Sequence, residues 1–81
     1  MREIDVHGLT VAQAKSLIES ALKDAVKKKE LSIAVIHGFH EGNRIKTMIH
    51  NNGITHPSIV RIRSKIDNPG ITVIDLKMKI D

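Results

Sequence analysis

The chain has 81 residues, with 13 Lys and Arg against 9 Asp and Glu and a formal net charge of +4. That length fits one small domain over residues 1–81, which buries roughly 60–65% of the surface it exposes when unfolded. Cysteine is absent, which excludes a disulfide framework, a thiolate zinc site, a thiol nucleophile and an iron–sulfur cluster.

Arg2 to His7 alternates, with Ile4 and Val6 on one side and Glu3, Asp5 and His7 on the other. Period two predicts a short half-buried strand, closed by Gly8. Thr10 and Gln13 have the spacing of a capping box, and Leu9 is placed to staple onto Ala14. Val11, Ala14, Leu17, Ile18, Ala21, Leu22 and Ala25 then recur at helical spacing as one apolar stripe. Lys27, Lys28 and Lys29 close this helix, where cations suit the dipole.

Leu31 to Ile36 is a β-branched apolar run that predicts a strand buried on both faces. After His37-Gly38 and a loop, Asn43 is the N-cap expected for a second helix, with Ile45, Met48 and Ile49 inward and Gly53 at its C′ position. Ile59 to Arg63 predicts a strand with Arg61 and Arg63 on one face. Asn68-Pro69-Gly70 reads as a turn, and Thr72 to Ile80 as a last strand with Ile74, Leu76, Met78 and Ile80 on one face. The expected fold class is α/β: a two-layer β-α-β-α-β-β sandwich with a four-stranded mixed sheet and two helices.

Basic residues in excess point to a polyanionic partner, most simply nucleic acid. Phe39 is the single aromatic residue, so bases have no stacking platform and binding must run through phosphates and shape. The apolar runs are short, as in Ala34-Val35-Ile36, and Met1 to Asp5 lacks the apolar core of a signal peptide. A cytoplasmic protein with no membrane partner is therefore expected. Oligomeric state leaves no signal in the sequence.

In parallel strands joined by helices, strand C-termini and helix N-termini gather along one edge. Here that edge should collect His7-Gly8 and the segment from His37 through Gly42, Asn43, Arg44 and Lys46, with Gly38 and Gly42 allowing close approach to an anion. Asp5 and His7, two apart on a strand, share a face. A carboxylate beside an imidazole fixes its tautomer and prepares it for acid–base work on a phosphodiester. The plainer reading makes Asp5 an edge-strand charge and His7 the start of a turn. Asp5 and Glu41 are possible ligands for a divalent ion such as magnesium. His37 and His40 form H-x-x-H, but no metal site is assigned to them. Arg61, Arg63, Lys77 and Lys79 are read either as a basic patch on the open sheet face or as edge protection.

Ile4-Asp5-Val6-His7-Gly8-Leu9-Thr10 resembles the L-D-x-H-G opening of Smr (small MutS-related) domains. Val35-Ile36-His37-Gly38 with Gly42 resembles their I-H-G-x-G-x-G segment, with His40 where the middle glycine usually stands. Pro57 to Arg63 is similar to their third strand, and Gly70 to Leu76 to their closing strand. The resemblance runs from about Ile4 to Lys77. It implies a fold similar to the C-terminal domain of translation initiation factor three. It also implies nucleic-acid binding and, in several members, DNA nicking or RNA endonuclease activity. By position it makes Asp5 and His7 the catalytic pair, makes His37, Gly38 and Gly42 the loop on the nucleic-acid backbone, and gives Arg63 the basic role after the third strand. The function expected is a structure-sensitive endonuclease acting on RNA or branched DNA. The alternative is a non-catalytic nucleic-acid- or ribosome-binding module.

Overall fold

The computed structural model describes residues 1–38 and 43–78. Its elements are β1 (Arg2–Asp5), α1 (Val11–Lys27), β2 (Ser32–Ile36), α2 (Arg44–Met48), β3 (Ile59–Lys65) and β4 (Asn68–Leu76), and α2 runs on into one wide π-type turn over Ile49–Gly53. The sheet order is β1-β2-β4-β3. β1 and β2 pair in parallel, with α1 as the connection. β4 lies antiparallel to both β2 and β3. All of the strands except β4 therefore end at the same edge of the sheet. The four-stranded mixed sheet with two helices is the fold the sequence led us to expect. Among the described residues no helix is long and apolar enough to cross a membrane.

One face of the sheet meets the helices. Ile4, Ile33, Val35, Ile74 and Leu76 pack there with Ala14, Ile18, Leu22 and Ala25 of α1 and with Ile45, Ile49 and Ile54. The four α1 residues lie three or four apart, so one helical face carries the burial. Leu17, placed in that stripe by periodicity, instead stays 43% exposed.

The capping box forms as expected: the Gln13 amide donates to Thr10 Oγ1 and the Thr10 amide to Gln13 Oε1, at 3.1 and 3.0 Å. At the other end the Lys29 amide donates to the Val26 carbonyl and the Glu30 amide to the Ala25 carbonyl, a Schellman closure. Lys29 takes the left-handed position of that motif, at φ 60°, where a Cβ is unfavourable. Lys29→Gly is expected to stabilise the protein by about 0.5–1 kcal/mol, read as a raised urea midpoint with unchanged slope.

A clamp that the sequence reading did not single out fastens β1 to this helix end. The Arg2 guanidinium bonds Asp24 at 2.8 Å and Glu30 at 2.7 Å, and both contacts hold its proton more tightly than usual.

Four expectations are corrected. Leu31 precedes β2 and is half exposed. The hairpin turn is Ile66-Asp67, and Asn68-Pro69-Gly70 forms the start of β4. Proline is tolerated there because pairing with β2 begins only at Ile71. β4 ends at Leu76, so Met78 is exposed, while Ile80 lies outside the described residues. Asn52, at φ 65°, takes the left-handed position at the end of the second helical segment, in place of Gly53. Asparagine tolerates this conformation better than most residues.

Candidate nucleic-acid interface

At the shared strand edge, Asp5 ends β1 and His7 begins the turn after it. Asp5 Oδ1 accepts from the His7 backbone amide at 3.1 Å and lies 2.5 Å from His7 Nδ1. One carboxylate oxygen thus closes the turn and orients the ring. With Nδ1 donating to the carboxylate, Nε2 is the basic nitrogen of the neutral imidazole. The ring hydrogen bond, more than the backbone one, holds the Asp5 carboxyl below the usual carboxylate range.

Gly38, at φ 74°, follows β2 directly. A Cβ placed on it would stand 3.8 Å from His7 Cβ. The Asp-x-His turn and the glycine turn are therefore neighbours on one rim. They border a cleft of about 750 Å³, whose other walls include the N-cap and first residues of α1 (Thr10, Val11, Ala12) and Asn43, Arg44, Ile45 and Lys46. The N-terminus of α1 opens onto the cleft with its dipole's positive end. Asp5 is not part of the lining and stands behind His7.

Among the described residues Arg44 has no ion-pair partner, and Lys46 donates to the Pro69 carbonyl at 3.3 Å. Asn43 occupies the N-cap position of α2, but its side chain makes no cap bond. Gly42, His40, Glu41 and Lys79 lie outside the described residues. Among those described, no group of three or more His, Asp or Glu side chains is arranged to hold a metal ion.

His37 is placed differently from what a backbone-contacting residue requires. It borders the cleft but is only 8% exposed, and both ring nitrogens are engaged: Nδ1 lies 2.7 Å from the Gly38 carbonyl and Nε2 2.8 Å from Thr72 Oγ1. The His37 and Gly38 amides both donate to the Gly70 carbonyl at 3.0 Å. Neither amide points at the cleft as a free donor.

His50 Nε2 lies 3.0 Å from the same Thr72 hydroxyl. Burial of His37 and the partial desolvation of the otherwise exposed His50 ring where it meets Thr72 keep both imidazoles below the ordinary histidine range, and the Lys46 charge adds to the effect. Neutral in the fold, they accept protons more readily once unfolded. Stability from this source is complete above about pH 6.5 and is lost as pH falls through the lowered native values. A thermal melt at pH 5.5 should give a lower Tm than one at pH 7.5, and His50→Gln should reduce the difference.

Arg63 does not line the cleft. On the sheet face away from the helices, Asp75 accepts from Arg61 at 3.0 Å and from Arg63 at 2.9 Å, and these contacts depress its carboxyl, Arg63 the more strongly. The supposed basic patch is thus partly neutralised from within.

A family model described as Smr domain matches residues 4–77. The fold also matches the crystal structure of the Smr domain of Thermus thermophilus MutS2, with a TM-score of 0.86 and 22% identity over 95% of this chain and 99% of that one. At that identity the likeness establishes the fold. No curated protein matches the chain.

Proposed function

This chain belongs to the Smr domain family, whose members generally bind nucleic acids, and on that footing we propose that it is a structure-sensitive endonuclease acting on RNA or branched DNA. The observation that carries the proposal is the His7 ring, oriented from behind by Asp5 and set beside Gly38 on the rim of a cleft that also holds Arg44 and Lys46. Exposed ion pairs contribute little to stability. Asp5 and His7 are 56% and 69% exposed, so their alignment is better explained by chemistry than by folding.

In the proposed step, Nε2 of neutral His7 takes the proton from the attacking hydroxyl or water as its oxygen bonds to phosphorus. The bond from phosphorus to the leaving oxygen breaks, that oxygen takes a proton from solvent, and the imidazolium later returns its own proton to solvent. The Asp5 carboxylate holds the ring in the required tautomer and stabilises the imidazolium that forms. Arg44 and Lys46 offset the charge that gathers on the phosphoryl oxygens. Positively charged side chains and helix N–H groups fit the phosphates of either nucleic acid, so the reading spans RNA and DNA alike.

The test is incubation of the purified chain with single-stranded, duplex and branched RNA and DNA, with and without chelator, beside His7→Ala. Cleavage by the parent and its loss in the variant support the endonuclease. Binding without cleavage of any substrate, under either metal condition, leaves the non-catalytic nucleic-acid- or ribosome-binding module.

A further inference from the structure

Thr72 lies on the helix-facing side of β4, paired with Val35 and fully buried. A buried hydroxyl must be satisfied, and here two imidazoles converge on it, His37 from the exit of β2 and His50 from the turn after α2. The proton positions follow by elimination. The Gly38 carbonyl can only accept, so His37 Nδ1 carries a proton and its neutral ring offers Nε2 as acceptor. The Thr72 hydroxyl donates to that nitrogen. Having given its proton away, Thr72 Oγ1 accepts from His50, which must be protonated at Nε2.

The result is a directed chain from His50 through Thr72 and His37 to the Gly38 carbonyl. It ends on the residue that abuts His7. We propose that His50 and Thr72 are positioning residues for the nucleic-acid rim, acting through His37 to hold the Gly38 turn in the shape that seats His7. This rests on the reading of the rim as the nucleic-acid site.

A second tie supports the same turn: the Gly70 carbonyl, two residues before Thr72, receives both the His37 and Gly38 amides. β4 therefore grips the turn by backbone and by side chain. The chain of bonds has a single direction only while both rings are neutral. A protonated His37 would donate from Nε2, and the hydroxyl would have to turn toward His50. Among the described residues, the charged group acting on both rings is Lys46 of α2, and His37 also acts on His50. The lowered proton affinity of each ring agrees with the neutral form.

The test combines imidazole nitrogen NMR of the whole chain at pH 7.5 with its affinity for a labelled single-stranded RNA oligonucleotide. His37 is expected as the Nδ1–H tautomer and His50 as the Nε2–H tautomer. Thr72→Val and His50→Leu should loosen the His37 ring, seen as broadened imidazole nitrogen signals, and weaken binding about three- to tenfold, the scale of one buried hydrogen bond. The slope of affinity against salt should stay the same, because no phosphate-contacting cation is removed. Thr72→Ser and His50→Gln, which keep the hydroxyl and the donor, should restore both readouts. His50 is exposed, so its variants report even where Thr72→Val fails to fold. A His37 protonated at Nε2 alone, or unchanged affinity in both disrupting variants, overturns the proposal. A parent chain that binds no RNA overturns the functional reading of the rim instead, and the spectra then decide the geometry on their own.

Discussion

Alanine at Gly53 is expected to destabilise the protein by about 3 kcal/mol, the upper end of the usual cost of overpacking and a large share of what a domain this small can hold. The added Cβ would stand 2.4 Å from the Met48 carbonyl oxygen, with the Met48 Cγ and Sδ at 2.5 and 2.6 Å. A methionine side chain can move away, but a backbone carbonyl inside a helix cannot do so without breaking its turn. Ile49 and Ile54, both in the core, flank this segment, so the displacement reaches the packed face. Gly8 supplies the contrast. It has φ 79°, but a methyl added there would have nothing within 4 Å, so alanine meets only the left-handed backbone cost of about 1–2 kcal/mol. Urea unfolding of both variants checks the order. Equal losses would show that space around Met48 is not what requires glycine at position 53.

His7→Ala is expected to lower cleavage about 10²- to 10⁴-fold, the range for removing a general acid–base group, while affinity for uncleaved substrate changes little. Asp5→Asn should lower cleavage by less. Its amide oxygen can still accept from the His7 amide and from Nδ1–H, but the negative charge that stabilises the imidazolium is gone. Binding should survive in both, because neither residue is a cation placed on the cleft wall. Rates under single-turnover conditions beside equilibrium affinities separate the two effects. Collapse of binding in step with cleavage would make the pair a structural clasp of the β1 turn.

Much of this arrangement was legible in the sequence because it is local. The Thr10–Gln13 capping box, the Asp5–His7 spacing and the apolar faces of α1 and β2 depend on residues a few positions apart, where periodicity and hydrogen-bonding capacity decide the outcome. The errors share the opposite property. Arg61 and Arg63 were left between a basic patch and edge protection, because strand alternation gives the face a residue occupies but not its cross-strand neighbour. Only the β3–β4 register places Asp75 against them. The turn at Ile66-Asp67 has a single turn-favouring residue, Asp67, whereas Asn68-Pro69-Gly70 has three and is taken up at the start of a strand.

The buried His37 repeats that lesson within the site. Its motif suggested a contact on the nucleic-acid backbone. Thr72 lies 35 positions from His37 and 22 from His50, and nothing in the local pattern around His50 signals the meeting. Thr72 left one trace: a polar residue on the core-facing alternation of an apolar strand, which must find partners when buried.

Amide NMR during titration of the full chain with a short single-stranded RNA oligonucleotide tests most directly whether one rim holds the nucleic acid. Shifts are expected to concentrate at His7–Ala12, Gly38 and Asn43–Lys46 and to weaken with added salt. Shifts centred on Arg61, Arg63 and Lys65, or on the lysines at the end of α1, with the cleft residues unmoved, would contradict that placement.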